Sequence, residues 1–539
     1  MSLQFILGNS GFGKTTYIYN KIINESMMNP KLRYYCIVPE QFTMQTQRDF
    51  VTLHPRKGIL NIDVSSFQRL AYHVLEEVGE NGRMILEETG KNIVLQKLSK
   101  EHEEDLKILG KNLKKIGYIG EVKSLISEFI QYQVTPELLE EMIRKSDNRK
   151  LLSGKLRDVL ILYRAFLEYM GEEYTTSDQV LSVFREVLDR SEKLKDSIIV
   201  LDGFTAFNPI QLKLIQGLMK TAQKVYVTAT IDTREDAYSL SQKTELFYLS
   251  KKMIQSITGA AKEAGVAIEM PILCDGDGHH RFKNCDDLLF LEQHLFRGGK
   301  AVYAGNPEHI RIKEYRTAME EIKDTAVQIR RLIREKGYCY GDIAVVLGNM
   351  EYQEHISRIF AQTGIPAFID EKKSALAHPF VEFLRGFIKM TEENFSYESV
   401  FRYLRSGFSG ITTEETDALE NYCLALGIRG LKKYSEKWIR FSKNQTEEEL
   451  QKINEIRVKF YESVKDAAAV IRDRDTSIIQ KCTALYQFLD KLGVEAQLAV
   501  KEEEFLQAGE AALAKEYHQI FRAVMELFEK YEKLLGEYT

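Results

Sequence analysis

The stretch with the clearest chemical purpose is GNSGFGKT at residues 8–15, which fits the phosphate-cradling pattern G-x-x-x-x-G-K-[ST]. Gly8, Asn9, Ser10, Gly11, Phe12 and Gly13 form a glycine-rich turn, followed by Lys14, Thr15 and Thr16. In such a loop, backbone N–H groups and the positive end of the following helix face an anion. The lysine adds a point charge for the β- and γ-phosphates, and the first threonine reaches Mg²⁺. The cofactors expected from these residues are therefore ATP and Mg²⁺, with Thr15 on the metal.

Hydrolysis needs more than a cradle. It needs a metal-holding carboxylate at the end of another strand and a group that orients water. The run SIIVLDGF offers Asp202 at the carboxyl end of an apolar, partly β-branched strand. Asp202 reads either as the second metal ligand or as a turn former. Gly203 stands where a helicase-type ATPase would place its glutamate. The expectation is nucleotide binding with little turnover and no confidently assigned catalytic residue. A second grouping, CDGDGHHRFKNC, brings Cys274 and Cys285 around His279 and His280. Its spacing fits no zinc pattern, and it reads as a loop.

These residues need elements to hold them. Leu3, Phe5, Ile6 and Leu7 form a short apolar run before the loop, and Thr15, Tyr17, Ile18 and Ile22 begin a helical spacing after it. Residues 1–85 alternate strand and helix, as do 191–296, which argues a parallel sheet with helices on its faces. Between them, 86–190 read as an all-helical insertion, with Thr135-Pro136 as a helix start. GKNLKKIG sets Lys111, Lys114 and Lys115 close together, either as a solvated face or as a backbone-binding patch. From 300 to 375 a second α/β domain is expected to begin, with IRIKEY and DIAVVL as strands. From 376 to 539 the pattern is helical, and the chain is expected to be a fragment cut inside or just after this helical insertion.

The 539 residues carry 28% charged side chains and a net charge of −5. No global basic signature is present, so nucleic acid would have to use a local groove. No apolar run approaches membrane-spanning length, and six scattered cysteines without a CxxC pair fit a reducing cytoplasm.

The order of these pieces resembles superfamily 1 helicases of the UvrD/Rep type, an α/β fold of RecA-like P-loop sheets interrupted by helices. The wording GNSGFGKT, VPEQFT, SSFQRLAYHVL, VLDGFTAFNPIQ and GIPAFIDEKKSALAHPFVEFLR further resembles the AddB (RexB) family, the second subunits of AddAB helicase–nucleases. The resemblance implies a bacterial cytoplasmic protein acting at the nucleoid, partnered by an AddA-type motor and acting on double-stranded DNA ends and the single strands released from them. It implies double-strand-break resection and a degenerate helicase region that scans single strands for a Chi-type sequence. It also implies a C-terminal nuclease domain with a 4Fe–4S cluster, to which no residue of this sequence is assigned. By the same resemblance Gln41, Thr43 and Arg69 would contact bases or phosphates, and Phe67, Tyr72, Phe204 and Phe207 would stack on bases. On spacing alone Phe67 and Tyr72 fit a helix core better, since aromatics at helical spacing usually pack. An autonomous motor and a clamp with a vestigial nucleotide site are the competing readings.

Overall fold

Strand β1, Ser2–Gly8, is buried on both faces along most of its length, as a central parallel strand must be. A computed structural model describes residues 1–539 except 81–83, 114, 116, 147, 172, 240–241, 276–280, 370–373, 444 and 539. His279, His280 and Lys114 therefore lie outside the described residues. The chain divides into two units, Met1–Ile312 and Lys313–Thr539.

In the first unit, β1 is joined by β2 (Arg33–Ile37), β3 (Ile62–Ser65), β6 (Ser197–Leu201), β7 (Lys224–Thr230), β8 (Ala267–Ile268) and β9 (Ile272–Cys274). The order is β3-β2-β6-β7-β1-β8, with β9 also on β1, and every pairing is parallel. The run GVAIEMPIL thus forms an edge in two pieces. Pro271, which has no N–H to give a ladder, stands between them.

Alternate residues of the strands feed two cores. Phe5, Ile37, Leu201 and Val227 pack with α3 (Phe67–Val78) and the helices Pro209–Thr221 and Tyr248–Glu263. Ile6, Cys36, Val200 and Tyr226 pack with α1 (Lys14–Met28) and Phe50 of α2 (Thr43–Leu53). The result is a three-layer α/β sandwich of the helicase-like class.

Helices fill most of 86–190, but the stretch is not all helical. β4 (Met84–Leu86) pairs in parallel with β5 (Tyr174–Thr176). Three-residue strands are too short to show a period, so the pattern hid them. Buried Lys91 anchors this region, donating to Asp178 at 2.7 Å and to Ser127 at 2.9 Å.

In the second unit, the helices Ala318–Lys336 and Tyr352–Thr363 share a small core of Ile322, Ile329, Ile356 and Phe360. DIAVVL and IRIKEY run without a ladder partner among the described residues, where strands were expected. A strand exists only beside another, and the apolar pattern alone cannot supply the neighbour. From Pro379 to Leu535 the longer helices surround an aromatic core, in which Phe387 and Phe488 stack at 4.2 Å.

Candidate nucleotide and nucleic-acid site

Gly8 ends β1 where β9 passes beside it. A Cβ there would lie 2.6 Å from the Cys274 carbonyl oxygen, so only glycine fits. The chain then turns through Gly11 and Gly13, both at positive φ, and Lys14 opens α1. Lys14 Nζ donates to the carbonyls of Gly8 at 3.0 Å and Asn9 at 2.8 Å. Burial pushes the Lys14 ammonium below its ordinary pKa, while Cys274, Asp202 and Glu292 nearby oppose the shift. A polyphosphate entering the loop would relieve that desolvation by giving the ammonium a full counter-charge. Phe12 is buried beneath the turn, and Ser10 and Thr16 lie on it or just after it.

Asp202 directly follows β6, one strand removed from β1 across β7. It is buried, and three hydroxyls face it. Thr15 Oγ1 donates to one carboxylate oxygen at 3.4 Å, Tyr19 donates to the other at 3.0 Å, and Thr228 of β7 donates from the adjoining strand. Thr15 and Asp202 thus stand together as a hydroxyl and a carboxylate. That donor set fits Mg²⁺, which takes one or two carboxylates and completes its shell with waters and substrate phosphates. No cluster of three or more acidic, His or Cys side chains offers an all-protein metal cage among the described residues.

Gly203, the residue after Asp202, has φ +78° and is exposed. This left-handed conformation disfavours any side chain there. The Tyr19 and Thr228 hydroxyls were not foreseen. Thr228 was legible as a polar residue within the apolar run KVYVTATI, but only the β6–β7 register aims it at Asp202.

Asn9 is the hub of a second network. Its Oδ1 accepts from Thr233 N at 3.2 Å and its Nδ2 donates to Glu292 at 3.2 Å. Glu292 pairs with Arg297, which also pairs with buried Asp232. Hydrogen bonds from Arg234, reinforced by Arg297, hold the Asp232 carboxyl down to a pKa of about 2.

The residues expected to meet DNA separate into two groups. Gln41 is exposed in the turn Glu40–Phe42 that follows β2, and Arg69 is exposed in the first turn of α3. Thr43, half-buried, opens α2 and donates to Glu40 O at 2.9 Å. Phe67 is 4% exposed and packs against Phe204 at 5.5 Å and Phe207 at 6.1 Å. Buried this far, Phe67 has a core role, and the base-stacking expected of it is corrected to packing. Tyr72, Phe204 and Phe207 are half-buried against the same core. Beside them is a cavity of about 290 Å³, walled in part by Phe67, Gln68, Gln131, Phe204, Asn208 and Gln211. Gln68, Gln131 and Gln211 were not singled out from sequence, because an isolated glutamine on a helix carries no pattern.

A phosphate loop after the first strand, with an aspartate two strands away in a parallel sheet, defines a P-loop protein of the helicase-like α/β class. The family model described as ADDB, N-terminal matches residues 5–292, and that of the UvrD-like helicase C-terminal domain matches 283–538. The chain belongs to the AddB family. It is 39% identical over 544 residues to the AddB subunit of an ATP-dependent helicase/deoxyribonuclease from Lachnoclostridium phytofermentans, covering 100% of this chain and 47% of that protein. The equivalent subunits from Clostridium novyi and Acetivibrio thermocellus are 30% and 31% identical, again over 100% of this chain and 47% and 48% of their own length. The chain spans about half the length of these curated relatives.

Proposed function

We propose that this chain supplies the nucleotide- and DNA-binding part of a helicase–nuclease subunit that, with an AddA-type motor, resects double-strand breaks for recombinational repair. In this reading its own helicase region no longer pulls. It holds ATP·Mg²⁺ on Gly8–Thr16, with Thr15 and Asp202 on the metal side, and scans the unwound strand for a Chi-type sequence. Residues 1–85 and 191–296 act as the first RecA-like domain and 86–190 as its insertion. Residues 300–375 begin the second such domain and 376–539 are inserted in it. The nuclease and its 4Fe–4S cluster belong to the part of the relatives this chain does not span. The place of work is the bacterial nucleoid. No helix among the described residues is long and apolar enough to cross a membrane.

The observation that carries the proposal is Asp202-Gly203. A metal-side carboxylate is kept, while the residue that should activate water is a glycine at φ +78°. Exposed Gln41 and Arg69 at the strand ends support the scanning role, since single strands are read by polar side chains and gripped through phosphates. The test is a double variant, Gln41→Ala with Arg69→Ala, in the intact heterodimer. Loss of the response to the regulatory sequence with unwinding retained is expected. An unchanged response refutes these residues as the reader.

A further inference from the structure

Arg281 and Phe282 lie against the phosphate loop at Gly11. Arg281 N donates to Gly11 O at 2.7 Å. A Cβ built on Gly11 would lie 3.0 Å from the Phe282 ring and 3.1 Å from Arg281 Cβ. The backbone of Arg281 is therefore pinned to the middle of the cradle, and its side chain starts within one van der Waals contact of it. The side chain is exposed and has no ion-pair or hydrogen-bond partner among the described residues. Its charge is felt at Lys14, where it opposes protonation.

Two cations thus share one small mouth. The carboxylates facing Lys14 are Asp202 and Glu292, with the Cys274 thiol, kept neutral by burial, beside them. Asp202 is occupied by hydroxyls and Glu292 by Arg297 and Asn9. None of these carboxylates pairs with Arg281. Like charges held close are unfavourable until an anion arrives between them, and a guanidinium gives a phosphate two parallel donors where an ammonium gives one point charge.

We propose that Arg281 is a second phosphate-positioning side chain, supplied by the same unit as the loop, and that it makes the site prefer a nucleoside triphosphate over a diphosphate. The inference rests on the nucleotide-binding reading above and deepens it. The loop's backbone N–H groups and Lys14 cradle the β- and γ-phosphates. Arg281, reaching in at Gly11, adds its donors to the terminal one. The unit thereby senses the γ-phosphate without an arginine from any other domain.

Calorimetry of the whole chain with ATP·Mg²⁺ and ADP·Mg²⁺ at fixed ionic strength tests this, using Arg281→Ala, Arg281→Lys and Lys14→Ala. The expected result is a wild-type preference for ATP. Arg281→Ala should lose about tenfold in ATP affinity, the scale of one charge-assisted contact, and little for ADP. Arg281→Lys should recover part of the preference, and ligand-free melting should be unchanged in both. If Arg281→Ala keeps the wild-type ratio, or weakens both nucleotides equally, the proposal is overturned while nucleotide binding stands. If the wild-type chain binds neither nucleotide, the nucleotide reading itself falls, and Arg281 with it.

Discussion

At the scale of single residues, Gly203 limits what the proposed nucleotide site can do. A glutamate could not simply be restored there, because a left-handed backbone costs a side chain about 1–2 kcal/mol. Gly203→Glu is expected to lower stability by that amount in denaturant melts and to give no gain in ATP turnover. Phe67 and Arg69 differ by two positions and should differ in kind. Phe67→Ala empties a buried aromatic site and should cost about 3–5 kcal/mol, so any loss of DNA binding would follow unfolding. Arg69→Ala removes an exposed side chain, and its stability should stay within about 0.5 kcal/mol of wild type. Its affinity for single strands should fall, with a salt dependence shallower by roughly one phosphate. Asp232 gives a pH signature. Its carboxyl titrates near 2 when folded, below its ordinary value of 3.8, so the unfolded chain binds the extra proton between those values. Its contribution, about 2 kcal/mol, is complete above about pH 4 and is lost as pH falls through the folded value. Asp232→Asn should flatten the acid limb of the stability profile there and weaken the protein at neutral pH.

At the scale of elements, the loops are held by helix caps. Asn208 and Gln211 form a reciprocal capping box at the start of the helix Pro209–Thr221, and this box fixes the loop carrying Phe204 and Phe207. Asn208→Ala should cost about 1 kcal/mol by equilibrium unfolding and loosen that loop. The elements differ in how plainly the sequence shows them. β1, the loop and α1 were legible because a glycine spacing lay between a strand-like run and a helical one. β6 was legible because an apolar run ended in Asp202. The β4–β5 pair was not, being three residues a side. Gln41 and Arg69 are exposed as expected, whereas Phe67 packs in the core instead of stacking on a base. An aromatic at helical spacing serves a core or a ligand with the same pattern, and only packing separates the two.

At the scale of the whole molecule, each unit has a core of its own. The first closes its parallel sheet between two helical layers. In the second, Val346 and Phe368 are each 92% exposed beside a small core. The net charge of −5 gives no field that would draw DNA from afar, so the proposed affinity for strands would have to come from local groups such as Arg69. What links residue, element and molecule in the proposed reading is a site that keeps its cradle and metal side and lacks its base. The most direct test is ATP turnover by the purified chain with and without single-stranded DNA, set beside nucleotide binding by calorimetry on the same sample. The account predicts ATP·Mg²⁺ binding that Lys14→Ala removes, with turnover that DNA does not raise. Vigorous DNA-stimulated turnover, abolished by Lys14→Ala, would contradict it.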